Sequence, residues 1–262
     1  MFNFCSLYSG SSGNCLFLET ATTKILIDSG VSCKKVENAL SSLDINPSNI
    51  NAILVTHEHS DHVKGLSTVS KKYNIPVFAT KETFENMPSQ TFKLEEKNIK
   101  AFNIEDNFSI GDIKVSPFSI PHDAANPCGF NISNGNKTIS IATDIGHMNN
   151  SILKKLQESS FVLLESNYDT NVLKCCTYPF YLKSRIASST GHLSNDMAAK
   201  TISYLCKNGL KTAMLGHLSK ESNLPELAYQ TAFNELISEN FDENSFNLNV
   251  ASRDFPSKLI NI

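Results

Sequence analysis

The chain has 262 residues, of which 40% are hydrophobic, and a formal net charge of −3 at pH 7. This length and composition allow a substantial buried core and argue against a disordered or membrane-spanning protein. The small negative charge gives no indication of the broad basic face of a tight nucleic-acid binder, although a few local cations could still bind phosphates, so charge alone does not exclude such a substrate. We therefore expect one large domain over residues 1–262.

The first residues and the cysteines both indicate a reducing compartment. Residues 1–5 begin neither a basic region nor an apolar run long enough for export, so a cytoplasmic protein is expected. The seven cysteines include no C-x-x-C pair, which argues against a disulfide framework and against a cysteine zinc site. We expect them to be reduced residues of the core.

Apolar periodicity and capping residues divide the chain into alternating strands and helices. The predicted strands are residues 2–8, 15–18, 24–27, 53–55, 76–80, 99–104, 113–120, 130–133, 138–142, 161–164, 212–215 and 247–250. The predicted helices are residues 33–43, 63–73, 81–86, 151–158, 195–206 and 224–239. We expect Pro117 to break its strand and residues 170–191 to be irregular.

The stretch T-H-E-H-S-D-H, residues 56–62, places three imidazoles and a carboxylate at a predicted strand-to-helix turn. His57 and His59, two residues apart, can point the same way and share one cation. Asp61 and His62 turn into the helix and can serve a second cation. The alternative is a histidine-rich surface loop, which this spacing directly after a buried strand disfavours.

Ionisable residues also follow other apolar runs along the chain. Six such runs end in Asp28, His57, His122, Asp144, Glu165 and His217. All seven histidines lie at or near these strand ends. The strand ends are therefore expected to converge on a common rim.

The ligand types at this rim suit two divalent metal ions. Hydrolysis near neutral pH requires the metals to hold a water between them, to lower its pKa to about 7, and to polarise the substrate oxygen. We expect one metal on His57, His59 and His122, a second on Asp61, His62 and His217, and Asp144 bridging the two. The imidazoles favour zinc, but the carboxylate and water ligands would also accept manganese.

Three further residues are expected to support the ligands or the chemistry. Asp28 would orient ligand imidazoles through their second N–H, although it could also be a turn-forming aspartate before Ser29. Glu165 and His192 could form a pair in which the carboxylate orients the imidazole and the imidazolium protonates a departing alkoxide. A structural role is the alternative for both.

Other polar residues are candidates for contacts to the ligands or the substrate. Asn14 ends a small polar loop, residues 9–14, for which a simple hairpin turn is the alternative, and Asn167 lies just after Glu165. His147 could bind phosphate, tune Asp144 or be exposed. Lys183 and Arg185 could bind phosphates or remain solvated.

The motif at residues 56–62, together with His122, Asp144 and His217, resembles the metallo-β-lactamase superfamily in order and spacing. The resemblance extends from residue 1 to about residue 250. It implies an α/β (α+β) fold, a four-layer αβ/βα sandwich with two mixed sheets, helices outside, and a dinuclear site with the ligands named above.

Within that superfamily the chain resembles the YycJ/WalJ-type hydrolases. The matching stretches are S-G-S-S-G-N at residues 9–14, L-E-S-N at 164–167, G-H-L-S-N at 191–195 and H-L-S-K at 217–220. The resemblance implies a bacterial cytoplasmic, metal-dependent 5′-to-3′ exonuclease. Glu165 and His192 are also similar to the pair that ribonuclease Z uses to assist departure of the leaving group.

The chain departs from that family at two positions and from other branches more widely. The family tends to have tyrosine where His147 stands and histidine where Tyr168 stands. The segment between Asp144 and His217 is too short for the inserted domain of the β-CASP nucleases, and ribonuclease Z's basic, glycine-rich arm is missing. Histidine at position 59 argues against the di-iron flavoproteins.

These observations lead to one principal hypothesis and two alternatives. The principal hypothesis is a dinuclear-metal-dependent phosphodiesterase, a 5′-to-3′ DNA exonuclease in which a metal-bridging hydroxide is the nucleophile. The alternatives are a hydrolase of a small ester, thioester or cyclic phosphodiester, and a metal-binding regulatory module with little catalysis. The preference for DNA or RNA and the oligomeric state stay open.

Overall fold

The computed structural model describes residues 2–88, 93–104 and 106–262, and within them the strands form two seven-stranded sheets. The first sheet contains β1 (Phe2–Tyr8), β2 (Cys15–Thr20), β3 (Lys24–Ile27), β4 (Ala52–Leu54), β5 (Val77–Thr80), β6 (Ile99–Phe102) and the C-terminal β14 (Ile260–Asn261). The second contains β7 (Phe108–Ile110), β8 (Ile113–Ser119), β9 (Cys128–Ser133), β10 (Thr138–Ala142), β11 (Phe161–Glu165), β12 (Thr212–Gly216) and β13 (Asn247–Val250).

Both sheets are mixed and repeat the same pattern of connections. In the first, β1, β2 and β3 pair antiparallel, and β3, β4, β5 and β6 pair parallel. In the second, β8, β9 and β10 pair antiparallel, and β10, β11, β12 and β13 pair parallel. Strand β3 is therefore equivalent to β10, β4 to β11 and β5 to β12.

Helices cover the outer face of each sheet. The helices of the first half are α1 (Cys33–Ser41), α2 (Ser60–Val63), α3 (Leu66–Tyr73) and α4 (Lys81–Asn86). Those of the second half are α5 (Asn150–Leu156), α6 (Thr170–Cys175), α7 (Phe180–Ile186), α8 (Asn195–Lys207) and α9 (Pro225–Ser238). Within the described residues, no helix has the length and apolarity needed to cross a membrane.

Three apolar clusters hold the layers together. The central cluster joins the facing sides of the two sheets, where the rings of Phe4 and Phe161 lie 4.8 Å apart between centroids. The second packs α1 and α3 on the first sheet through Val36 and Leu66, and the third packs α8 on the second sheet through Ile202. Strands covered on both faces are buried along their whole length, as β1 and β11 are. The prediction of a four-layer αβ/βα sandwich is confirmed.

Several predicted elements differ from the structure. Residues 170–191 are not irregular throughout, because they contain α6, whose first turn Asp169 caps, and α7. Pro117 does not break β8. Strand β7 pairs only with residues 113–115 of β8, so no N–H at position 117 is needed for a hydrogen bond to β7. The helix predicted over residues 63–73 divides at Gly65, where any side chain would collide with the carbonyl oxygen of Val31. The short strands β7 and β14 were not predicted.

The expectation that all cysteines belong to the core is wrong. Cys175 is exposed at the end of α6, and Cys33 and Cys176 are half-buried. Cys33 and Cys175 are the first and last residues of short helices, and Cys176 directly follows α6, so all three lie at helix ends that are only partly covered by the rest of the protein.

Candidate metal centre

The ionisable residues predicted at strand ends lie together at one edge of the sandwich. Asp28 and His57 follow β3 and β4, Asp144 and His217 follow β10 and β12, and Glu165 is the last residue of β11. Because the carboxyl ends of parallel strands share one edge, the two equivalent halves deliver these side chains to one place. They surround a cleft of about 300 Å³ that is lined by Ser11, His59, Ser60, Asp61, Asp144, Arg185, His192 and His217.

Three of these residues leave their strands in a left-handed backbone conformation. The angle φ is 61° at Asp28, 59° at Asp144 and 57° at His217. Aspartate and histidine tolerate this region better than most residues, but it remains uncommon without glycine. At His217 the N–H donates to Ser9 Oγ at 2.8 Å, and the carbonyl oxygen accepts from Asn167 Nδ2 at 2.8 Å. Asn167 therefore stabilises the turn that aims the imidazole.

The first cluster consists of His57, His59 and His122, whose candidate ligand atoms lie within 4.8 Å of one another. His122 Nδ1 donates to the carbonyl oxygen of Gly191 at 3.1 Å, and its Nε2 lies 3.2 Å from His59 Nδ1. His57 Nδ1 lies 3.0 Å from the hydroxyl of Thr56. Outer contacts of this kind fix the ring orientation and leave the inner nitrogens for a cation.

The second cluster consists of Asp61, His62 and His217, whose candidate ligand atoms also lie within 4.8 Å of one another. His62 Nδ1 donates to Asp28 Oδ2 at 2.8 Å. His62 Nε2 and His217 Nε2 both lie 3.5 Å from Asp61 Oδ2. These two imidazoles and the carboxylate form a second ligand set, in which Asp28 fixes the orientation of the His62 ring.

Asp144 lies between the two clusters. Its Oδ2 is 3.3 Å from His62 Nε2, and its Oδ1 is 3.7 Å from His122 Nε2. Among atoms of the described residues, His57 Nε2, His217 Nε2 and Asp144 Oδ2 are buried without a hydrogen-bond partner. Buried polar atoms of this kind are rare and require an explanation. Cations held by both clusters would satisfy all three atoms, so these side chains fit two divalent metal ions.

The imidazoles differ in protonation because their surroundings differ. Burial and neighbouring imidazoles lower the pKa of His57 well below its usual range, and burial also lowers the pKa of His122. Burial acts in the same direction on His62 and His217, but the surrounding carboxylates outweigh it. They raise the pKa of His62 well above its usual range and that of His217 to about 10. Without a cation, His62 and His217 therefore hold protons at neutral pH.

We expect cation binding to release about one proton from each of His62 and His217 at pH 7, because only their neutral imidazoles can be ligands. Since both pKa values are raised, the apparent affinity should increase with pH by up to about tenfold per unit for each proton released, until the pH exceeds those values. Calorimetric titration of metal-free protein in buffers of different ionisation enthalpy measures the release. His217→Gln should lower it by about one proton, and no release from the wild type would contradict the assignment.

Glu165 is a fully buried carboxylate that accepts four hydrogen bonds. Its Oε1 accepts from Nδ1 of His192 at 2.9 Å and from Nδ1 of His217 at 2.8 Å. Its Oε2 accepts from the N–H groups of Ile145 and Leu193 at 2.7 and 3.0 Å. Burial alone would raise the pKa of Glu165, but the two histidines lower it below the usual range. An ionised Glu165 keeps the proton of both rings on Nδ1, which leaves Nε2 of His217 for a cation and Nε2 of His192 for the cleft.

Two contacts in this network were not predicted. The bond from Glu165 to His217 joins the proton-donor pair to the second cluster. Thr56, whose N–H and hydroxyl donate to Asp28 at 2.9 and 3.0 Å, also contacts His57 and His62 through its hydroxyl. The contacts of Thr56 could have been predicted from its position, because it is a polar residue between a buried strand and the first histidine.

The polar loop of residues 9–14 contacts the second cluster. Asn14 Oδ1 accepts from the N–H of Gly10 at 2.9 Å, which holds the loop closed. Asn14 Nδ2 lies 3.1 Å from His62 Nε2 and 3.5 Å from Asp61 Oδ2. The loop therefore contacts two candidate ligands and is not only a hairpin turn.

Of the predicted phosphate contacts, the structure places only Arg185 in the cleft. Arg185 Nε and Nη2 donate to the two oxygens of Asp123 at 2.6 and 3.0 Å. Lys183 Nζ donates to the carbonyl oxygen of Lys174 at 2.7 Å and lines a separate pocket. His147 is exposed, is not among the residues that line the cleft, and donates to a backbone carbonyl.

Comparison with known proteins places this geometry in a family. The model of the beta-lactamase superfamily domain matches residues 23–218. Exodeoxyribonuclease WalJ of Streptococcus pneumoniae is 35% identical over 237 residues, 90% of this chain and 88% of its own. Exodeoxyribonuclease YycJ of Bacillus anthracis is 33% identical over 258 residues, 98% of each chain. The chain belongs to the WalJ/YycJ family of the metallo-β-lactamase superfamily.

This WalJ/YycJ family member also has the fold of more distant proteins. The metallo-β-lactamase fold protein YhfI from Bacillus subtilis has a TM-score of 0.72 at 13% identity, covering 98% of this chain and 100% of that chain. At this identity the likeness shows the fold alone. The resemblance predicted from the motifs at residues 56–62, 164–167, 191–195 and 217–220 is confirmed at the level of the family.

Proposed function

We propose that this protein is a metal-dependent phosphodiesterase that removes nucleotides from the 5′ end of DNA. The observation that carries the proposal is the Glu165–His192 pair beside the two metal-binding clusters, because it offers a proton to a leaving group. The alkoxide released from a phosphodiester needs that proton, whereas the thiolate released from a thioester does not. The names of the relatives, exodeoxyribonucleases, support DNA as the substrate.

We assign one cation to His57, His59 and His122, and a second to Asp61, His62 and His217, with Asp144 shared. The five imidazoles make zinc the first candidate, and the carboxylates make manganese the second. When bound, the two cations lower the pKa of a water molecule to about 7 and polarise a phosphoryl oxygen.

Arg185 is proposed to position the scissile phosphate. Asp123 accepts two hydrogen bonds from the guanidinium, which has five N–H donors in all. The same bonds hold the guanidinium in the wall of the cleft, beside His192 and Asp144. A planar donor group fixed in this way suits a phosphate better than a mobile lysine does.

His192 is proposed to donate a proton to the leaving oxygen. Water supplies the oxygen of the new P–O bond, the bond between phosphorus and the 3′ oxygen breaks, and that oxygen takes the proton from Nε2 of His192. The products are a nucleotide with a 3′ hydroxyl and a strand that keeps its 5′ phosphate. Each product strand can therefore be a substrate for the next cleavage.

We also propose that the protein acts in the cytoplasm as one domain over residues 1–262 without a β-CASP insertion. The proposal is supported by the segment from Asp144 to His217, which supplies β11 and β12 to the second sheet and also contains α5–α8. We therefore propose that this segment is part of the sandwich and contains no inserted domain.

A panel of labelled substrates tests the proposed function. Single-stranded DNA with a 5′-phosphate label should release labelled mononucleotide from the first time point, whereas a 3′-to-5′ enzyme would produce a ladder of labelled fragments. The matched controls are RNA of the same sequence with the same 5′ label, and 5′-hydroxyl DNA that carries its label at the 3′ end. Cleavage of only small esters or cyclic phosphodiesters would contradict the proposal, as would a metal-loaded protein inactive on every phosphodiester.

A further inference from the structure

A second pocket lies beside the cleft, between α6, α7 and the segment that follows β11. It has a volume of about 420 Å³, and its lining includes Tyr168, Leu173, Lys174, Tyr178, Phe180 and Lys183. This volume falls in the range of about 300–1,000 Å³ that is usual for small-molecule sites. None of the reaction steps above uses this pocket.

Helix α7 forms a wall of both cavities. Arg185 lines the cleft, and Lys183, two residues earlier on the same helix, lines the pocket. The N–H of His192 donates to the carbonyl oxygen of Ile186, the last residue of α7, at 2.9 Å. The helix between the cavities is therefore bonded directly to the proposed proton donor.

The other walls of the pocket are formed by residues that lie close in the chain to Glu165, or that contact a residue close to His217. Tyr168 lies three residues beyond Glu165, and its carbonyl oxygen accepts from the N–H of Asn195 at 2.8 Å. The Tyr178 hydroxyl lies 3.5 Å from Oγ of Ser219, two residues beyond His217. The pocket thus lies on the side of the site that carries Glu165 and His192.

The lining combines aromatic rings with cationic side chains. Phe180 is 85% exposed, although a large apolar ring gains by burial, and Tyr168 and Tyr178 are half-buried beside it. Lys174 and Lys183 line the same pocket. Aromatic rings that stack on bases, next to cations that hold the backbone, are the elements from which single-stranded nucleic acid sites are built.

We propose that this pocket binds the nucleobase of the 5′-terminal nucleotide, whose 3′ oxygen receives the proton from His192. The inference rests on the proposed function and names where the departing nucleoside lies. Since the leaving oxygen must be next to the proton donor, the nucleoside that carries it must be on the Glu165–His192 side. A base in this pocket cannot be paired, so the terminal base pair of a duplex substrate must open before its first nucleotide is cleaved.

The first test compares two neighbouring aromatic residues on α7. Phe180 lines the pocket, whereas Tyr181, which is 74% exposed, does not. The probe is a 3′-fluorescein, 5′-phosphorylated oligothymidine with phosphorothioate linkages, bound to the metal-loaded enzyme and followed by fluorescence anisotropy. Phe180→Ala should raise Kd about tenfold, as expected for the loss of one stacked base. Tyr181→Ala should leave Kd unchanged.

The second test locates the base. A strand with 5-iodouracil at its first nucleotide should cross-link to Tyr168, Tyr178 or Phe180, and a strand with 5-iodouracil at its fourth nucleotide should not. Equal Kd values for the two α7 variants, or cross-links to the pocket only from the fourth nucleotide, would overturn the inference. Failure of the wild type to release nucleotides from DNA would instead refute the proposed function, and the labelled-substrate assay detects that separately.

Discussion

Asp144→Asn should lower the rate of DNA cleavage by about 10³-fold or more, because the two cations together contribute several kcal/mol to the transition state. Asparagine keeps the shape of the side chain but removes the charge that lies between His62 and His122. We expect the variant to bind fewer than two cations per chain, as measured by metal analysis after gel filtration. Its fold should persist, since the carboxylate forms no part of the apolar core.

The control for this substitution is Asp106→Asn, which makes the same chemical change in an exposed turn between β6 and β7. This variant should retain both its cations and its activity. An Asp144→Asn enzyme that kept two cations and full activity would contradict the shared-ligand assignment.

His192→Ala should lower kcat by about 10²–10⁴-fold while the protein keeps two cations, because the ring donates a proton and is not a ligand. The defect should shrink on thymidine 5′-monophosphate p-nitrophenyl ester, whose p-nitrophenolate departs without a proton. His147→Ala removes an exposed histidine and should leave both activities unchanged.

Glu165→Gln should impair both roles of the carboxylate. Because Glu165 orients both His192 and His217, this variant should lose cation affinity by about 10–100-fold in addition to kcat. His192, Asp144, Glu165 and His217 also have candidate ligand atoms close enough together to hold a metal ion. Loss of a cation from His192→Ala would therefore reassign it as a ligand.

The positions of the candidate ligands could be predicted from the sequence because two local patterns determine them. Residues 57–62 span a turn and the start of α2, so their spacing alone brings the side chains together. His122, Asp144 and His217 are distant in sequence, but each follows an apolar run that ends at the same edge of the sandwich. Parallel pairing of the strands then converts a repeated one-dimensional pattern into a three-dimensional cluster.

Other features of the site could not be predicted, because they depend on how segments distant in sequence pack against one another. Lys183 and Arg185 look equivalent in the sequence, and only the orientation of α7 places one in the pocket and the other in the cleft. Likewise, the bond between Glu165 and His217 exists because β11 and β12 are neighbours in the sheet. Neither relation could be derived from residue spacing along the chain.

The most direct measurement is a titration of metal-free enzyme with zinc and, separately, with manganese, in which the release of mononucleotide from 5′-labelled DNA is followed at each addition. Two clusters that share Asp144 predict that activity rises until two equivalents are bound per chain and then becomes constant. Full activity in the metal-free protein, or no activity with two equivalents of either cation bound, would contradict the account.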